Sequence, residues 1–347
     1  MATIATFSEI PVVSLAETRT SAAALTRALH EVGFLSLVDH GIDPAFIDRY
    51  FAAVEAFFAL PEAEKERIDK RNSPHFRGWE RVGAELTDNR VDFREQLDLS
   101  TEHSPSPPGA EPVFLRLDGP NQWLPDDVLP GFRATVEAFL AHARRIAEEL
   151  MEVLAIGLDL PDDAFARRFG ERPHSLAKLI HYPPTPVGEA GVNAHHDAGF
   201  LTVLLQHRVG GLQVRNQTGD WIDVPPMDGA LVINIGEMLQ SMTGNYLVAT
   251  THRVISQAER YSSAYFHGPD LRASLAPLDL DPRFAEAVAA SIHHREAGFM
   301  ARRDELLAGE RGTASTPAAT YGEQLWNYYR RSYPANMARH YPDIPID

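Results

Sequence analysis

The chain has 347 residues, no cysteine, and 48 acidic against 32 basic side chains, which gives a formal charge of −16. Without cysteine there is no disulfide scaffold, no thiolate-bound zinc or iron–sulfur site and no thiol nucleophile. The acidic balance argues against a nucleic-acid partner, because that affinity comes mainly from Lys and Arg on phosphates; hydrophobic content of 44% supports a sizeable core.

The first predicted element is a short edge strand, Ile10-Pro-Val-Val-Ser14. A helix follows over about 20–32, with Leu25, Ala28, Leu29 and Val32 on one face. Gly33 ends it, and Phe34-Leu-Ser-Leu-Val38 is expected as a strand. Pro44 opens an amphipathic helix through Phe51, Val54, Phe57 and Phe58. No Gly-x-Gly-x-x-Gly follows the strand, so this is an α/β cap and not a dinucleotide unit. Residues 71–123 are expected to be irregular, with Phe76, Arg77, Trp79 and Arg81 exposed or lining a site. A long helix is predicted over about 126–158, its apolar face marked by Val136, Phe139, Leu140, Ala143, Ile146, Leu150 and Val153, and a short one over 162–169.

From Leu176 onward the period becomes strand-like. Runs at 177–182, 201–206, 212–215, 221–224, 231–235, 250–255 and 260–266 alternate with Gly, Pro, Asn or Asp. Short strands at about ten-residue spacing suggest a sandwich or barrel of the jelly-roll kind. The tail over 282–334 is expected as two helices around a Gly/Thr/Pro-rich loop at 309–318. The organisation is therefore mainly β with flanking α. It divides into an N-terminal α/β cap (1–120), supporting helices (121–172), a jelly-roll core (173–280) and a C-terminal helical extension (281–347). With neither a signal-peptide pattern nor a long apolar run, a cytoplasmic protein is expected, without membrane or nucleic-acid partners. A monomer is the default, with a tail-mediated dimer as the alternative.

Fifteen histidines make metal chemistry worth testing. In Asn193-Ala-His-His-Asp-Ala-Gly-Phe-Leu-Thr202, His195 and Asp197 share a face if the run is extended, and His196 points away. A later strand-like run carries Thr251-His252-Arg253-Val254. Two histidines and one carboxylate can form a facial triad that leaves positions open on iron(II). On their own, the three equally describe unrelated polar residues. Just beyond lies Arg260-Tyr261-Ser262, where Arg260 and Ser262 again share a face and suit a carboxylate; an ordinary strand arginine would look the same.

Taken together, the motifs resemble the iron(II)/2-oxoglutarate-dependent dioxygenases of the isopenicillin N synthase-like superfamily. The matching text is Val32-Gly-Phe-Leu-Ser-Leu-Val-Asp-His-Gly-Ile42, Ile180-His-Tyr-Pro-Pro184, His195-x-Asp197, Gly210-Gly-Leu-Gln-Val214 and Gly219-Asp-Trp-Ile-Asp-Val-Pro-Pro226. It continues in Leu231-Val-Ile-Asn-Ile-Gly236, Leu239-Gln240, His252-Arg-Val254 and Arg260-Tyr-Ser262. The resemblance implies a distorted double-stranded β-helix. It further implies that His195, Asp197 and His252 bind Fe(II), that Arg260 and Ser262 bind the far carboxylate of 2-oxoglutarate, and that Tyr182 contacts this cosubstrate. Asn234 is expected to support the site. The implied activity couples oxidative decarboxylation of 2-oxoglutarate by O2, giving succinate and CO2, to oxidation of a small molecule, usually hydroxylation.

On the substrate side, Arg77, Trp79, Phe93, Arg94 and Lys178 fall where this superfamily commonly lines its mouth; arginines paired with surface carboxylates are the plainer alternative. Glu85-Leu-Thr87, Glu259–Pro269 and Tyr321-Gly-Glu323 also resemble the bacterial ethylene-forming branch, from which Lys178 and Ala198 depart. Three other functions stay open at this point: an ethylene-forming-type 2-oxoglutarate dioxygenase, an isopenicillin N synthase-type oxidase that uses no 2-oxoglutarate, and a non-catalytic small-molecule binder on the same scaffold.

Overall fold

The computed structural model describes residues 6–87, 90–107, 109–296 and 319–344. Its early strands are β1 Val12–Ser14, β2 Phe34–Val38, β3 Gly78–Glu80, β4 Leu86–Thr87, β5 Arg90–Val91 and β6 Glu95–Ser100. Then come β7 Leu176–Tyr182, β8 Val192–His195, β9 Leu201–Gln206, β10 Leu212–Arg215 and β11 Trp221–Asp223. The last are β12 Leu231–Ile235, β13 His252–Val254 and β14 Arg260–His267.

An eight-stranded sheet runs β1-β2-β12-β9-β14-β7-β6-β3, and a four-stranded sheet runs β11-β10-β13-β8. The β1–β2 pair is parallel and the other pairs in these two sheets are antiparallel, with β4–β5 a separate hairpin.

Period-two alternation sorts the strands of the large sheet into two faces. One face carries Leu179, Val203, Ile233 and Tyr265, packed in a core with the helices Pro44–Phe58 and Phe132–Gly157. The other carries Ile180, Tyr182 and Val232, which join Val192, Leu212, Val214 and Val254 of the small sheet in a second core. The polar residues Thr202, Asn234, Arg260 and Ser262 sit among the strands on this inner side, and they build the site. Helix Pro44–Phe58 starts as its sequence requires: Asp43 accepts from the Ala45 N–H at 2.9 Å, and Pro44 occupies the first turn.

Three expectations needed correction. The long helix begins at Phe132 and not near 126, because Gly131 is left-handed (φ 70°) and its N–H is held by Asp126 Oδ1 at 2.8 Å. The stretch 71–123 is not irregular throughout: β6 pairs with β7 along its whole length, and all six of its residues are buried. Its text, Glu-Gln-Leu-Asp-Leu-Ser, hides the strand because its polar side chains are buried in ion pairs and hydrogen bonds. Finally, Trp79 is neither exposed nor site-lining but buried, whereas Phe76, stacked on Tyr329 at 4.7 Å, and Arg77 are buried on the wall of a cavity, as one of the two expected placements has it. In the tail, helices span Pro282–Ala290, Ile292–Glu296, Tyr321–Ser332 and Pro334–His340; the expected loop at 309–318 lies outside the described residues.

Candidate active site

His195 ends β8 and His252 begins β13, and the two are direct partners across that antiparallel pair. Asp197 follows in the turn after β8, where the Glu237 N–H donates to its carbonyl at 2.8 Å. That turn passes so close to Gly236 that a Cβ there would lie 2.4 Å from the Gly199 carbonyl oxygen, so this position requires glycine. One ligand atom from each of His195, Asp197 and His252 lies within 4.8 Å of the others, which can hold a metal ion.

The hydrogen bonds around the three settle which atoms face inward. His195 Nδ1 lies 2.9 Å from the Asn193 carbonyl and His252 Nδ1 lies 3.1 Å from the Thr250 carbonyl. A carbonyl only accepts, so each Nδ1 carries the hydrogen and each Nε2 keeps its lone pair. Both Nε2 atoms lie 3.6 Å from Asp197 Oδ1. The other oxygen, Oδ2, accepts from Thr202 Oγ1 at 2.6 Å and from Asn234 Nδ2 at 2.7 Å. Thr202 and Asn234 are themselves partners across β9 and β12, so the pleat aims both at one oxygen. Burial pushes the Asp197 carboxyl up, but His252, His195 and Thr202 override it and hold it well below the usual range. Burial works against charge on both rings. At His252 it wins, with His195 adding to it, and lowers the pKa to about 4; at His195 the neighbouring carboxylate wins and raises it.

Further along the same inner face, Arg260 and Ser262 project from β14. Arg260 Nη1 donates to Ser262 Oγ and Nη2 to Gln206 Oε1, both at 3.0 Å. Tyr182, the cross-strand partner of Arg260, places its ring 4.7 Å from the guanidinium. Arg260 is fully buried, its Nε has no acceptor, and it has no ion-pair partner among the described residues. Burial accordingly lowers its pKa. A buried, uncompensated fork beside a hydroxyl fits a carboxylate, and three inward ligand atoms with two imidazoles fit a divalent iron.

A single cavity of about 400 Å³ contains the triad, Arg260, Ser262 and Tyr182. Of the residues expected at the substrate mouth, Arg77, Arg94 and Lys178 line it. Trp79 and Phe93 do not. The Trp79 indole donates to Glu95 at 2.8 Å, away from the cavity, and Phe93 is tied by its N–H to the Ala190 carbonyl. Sequence reasoning missed Thr202 and Gln206, although their inward phase on β9 was available from the strand alternation. It also missed Tyr328, which reaches the cavity from the Tyr321–Ser332 helix, and no local pattern announces that docking.

Residues 10–126 match the family described as non-haem dioxygenase in morphine synthesis N-terminal, and residues 173–269 match the 2OG-Fe(II) oxygenase superfamily. The 2-oxoglutarate-dependent dioxygenase frbJ of Dothideomycetidae sp. (strain 11243) is 35% identical, covering 97% of this chain and 91% of its own. This chain belongs to the 2OG-Fe(II) oxygenase superfamily. A solved 2OG-Fe(II) oxygenase family protein of Caulobacter crescentus matches this oxygenase with a TM-score of 0.67 at 26% identity, over 88% of this chain and 100% of that one. A solved full-length protein of Neurospora crassa, in complex with alpha-KG and 5-formyluracil, matches with a TM-score of 0.66 at 25% identity, over 78% and 88%. The oxygenase uses iron, 2-oxoglutarate and O2 to oxidise a small molecule. Among its described residues no helix is long and apolar enough to cross a membrane.

Proposed function

We propose that His195, Asp197 and His252 hold the iron(II), that Arg260 and Ser262 bind the far carboxylate of 2-oxoglutarate, and that the oxidation is a hydroxylation. Bound there, iron(II) and 2-oxoglutarate supply the oxidative decarboxylation that yields succinate and CO2. The protein's own part is positional. Asn234 and Thr202 fix Asp197 Oδ1 inward, and the Asn193 and Thr250 carbonyls fix both Nε2 atoms. Tyr182 packs on the guanidinium and holds its plane.

The observation that carries this reading is Arg260: a buried cation with no anionic partner among the described residues, in the same cavity as three convergent ligand atoms. It also weighs against an oxidase that dispenses with 2-oxoglutarate, which would have no use for that charge. The test is an anaerobic absorption titration with iron(II) and then 2-oxoglutarate, in the native chain and in Arg260→Ala. A charge-transfer band should appear in the native protein only when both are present. Removing one partner of a buried charge contact typically costs about 2–5 kcal/mol, so the variant should need roughly 30-fold or more additional 2-oxoglutarate while still binding iron. Loss of iron with unchanged 2-oxoglutarate dependence would refute the assignment.

A further inference from the structure

Arg260 is not alone in its condition. Among the described residues, Arg77 and Arg260 are the two largest side chains that the fold buries completely, and both line the one cavity. Neither has an ion-pair partner among those residues, and the Nε of each lacks an acceptor. Arg94, the third buried arginine on the cavity, is different. Its Nε is also without an acceptor, but Glu85 at 2.7 Å and Asp92 at 3.3 Å compensate its charge.

Arg77 Nη1 donates to the Gly119 carbonyl, and Nη2 donates to the Leu117 carbonyl at 3.1 Å. Those bonds aim the guanidinium without neutralising it, and three of its five N–H groups remain. Asp118, between the two carbonyls in sequence, turns instead to His174 and Arg172, each at 3.2 Å. Burial lowers the Arg77 pKa to about 10, against weaker support from Tyr329, Asp118 and Glu102, so the side chain is still a cation at neutral pH. Beside it, Phe76 and Tyr329 stack at 4.7 Å and line the same cavity.

We propose that Arg77 receives the carboxylate of the substrate, and that the substrate is a monocarboxylic acid with an apolar or aromatic body. A buried arginine without an anion costs stability unless a ligand supplies one, and the iron and Arg260 already account for 2-oxoglutarate. One uncompensated guanidinium suits one carboxylate. A phosphate dianion would call on further cations, yet Lys178 and Arg94 are each held by protein carboxylates. The apolar body has Phe76, Tyr329, Leu176, Phe266 and Leu325 to lie against. This inference rests on taking the cavity as the catalytic one.

Calorimetric titration of the anaerobic iron(II)–2-oxoglutarate protein tests it. The probes are 3-phenylpropanoate, phenylacetate and octanoate, each beside its primary amide. At least one acid should bind tenfold or more tightly than its amide. In Arg77→Met that preference should vanish while one 2-oxoglutarate still binds per chain, and Arg77→Lys should keep part of it. Amides equal to acids throughout, no acid bound, or a preference that survives in Arg77→Met would each overturn the proposal. Two molecules of 2-oxoglutarate per native chain, falling to one in Arg77→Met, would give the site to the cosubstrate instead. If Arg77→Met does not fold, the acid–amide comparison in the native chain and Arg77→Lys decide. The absorption titration keeps the two readings apart: if the native protein given both iron(II) and 2-oxoglutarate shows no charge-transfer band, an acid preference measured in the iron-free protein would retain the carboxylate site and discard the catalytic reading.

Discussion

The two ends of the cavity are both lined by charged and polar residues, yet they differ in what those residues have left to offer. At the metal end, each protein hydrogen bond occupies one atom of a ligand and turns the other inward: Nδ1 is taken and Nε2 is free, Oδ2 is taken and Oδ1 is free. At the outer wall the charges close on one another. Glu85 accepts from Lys178, Arg94 and Tyr328; Lys178 also meets Asp98, and Lys70 lies between Asp98 and Glu80. Burial raises the Glu85 carboxyl, but Lys178, Arg94 and Lys70 outweigh it and hold the pKa well below the usual range. At Glu80 burial prevails over Lys70, aided by Asp98 and Glu85, and the pKa rises. Charge on a cavity wall therefore does not by itself mark a ligand site. What marks one is polarity that no protein group answers.

Removing a ligand at the metal end should give the largest effect. Asp197→Ala deletes the oxygen between the two Nε2 atoms, and the purified variant should retain essentially no iron after dialysis while its circular dichroism stays native. Stoichiometric iron in that variant would sink the triad. Next comes the wall. Lys178→Met leaves Glu85 and Asp98 buried without one of their cations; breaking such a pair costs about 3–5 kcal/mol, nearer the lower figure here because Arg94 and Lys70 remain. Denaturant unfolding should show that loss with iron binding intact. Unchanged stability with failed substrate oxidation would instead make Lys178 a substrate residue. Smaller again, Asn234→Ala removes one of two donors to Asp197 Oδ2, and groups of this kind typically contribute about 10–100-fold in metal affinity, measurable by competition with a chelator.

The same distinction explains what could be read from the chain in advance. His195, Asp197, His252, Arg260 and Ser262 were legible because motif text placed them together and strand alternation put Arg260 and Ser262 on one face of β14, although Asp197 lies beyond the end of β8 and not on the extended run expected for it. The helix Pro44–Phe58 was legible because its buried side chains, Tyr50, Phe51, Val54, Phe57 and Phe58, follow helical spacing after a proline at the first turn. β6 was not, because Glu95, Gln96 and Asp98 look like a solvated loop until their partners, which lie 16 to 86 residues away, are known. Arg77 and Trp79 were picked out by residue type, which does not separate an arginine on a cavity wall from an indole bonded to a buried glutamate. Pairing over such sequence distances is a property of the fold, and local pattern does not report it.

Acidification separates the ends by a gentler route. His174 and His267 are buried, and each has its pKa lowered to about 4; burial is the main cause, opposed at His174 by Asp118 and reinforced at His267 by Arg144. An unfolded histidine titrates near pH 6.5, so between these values the unfolded chain binds more protons and stability falls as pH falls. The contribution is complete above about pH 6.5 and is lost on the way down to about 4. From pH 7 to 5.5 the loss should be about 1 kcal/mol for each histidine. The wall behaves differently, because Glu85 keeps its contribution above the unfolded glutamate value of about 4.3 and loses it only as pH falls through its lower folded value. Denaturant midpoints of the iron-free protein should therefore decline between pH 7 and 5.5, and His267→Leu should make that decline shallower. A slope that His267→Leu leaves unchanged would move the early acid sensitivity away from this buried ring, whereas a midpoint flat from pH 7 to 5.5 would mean that both histidines protonate in place.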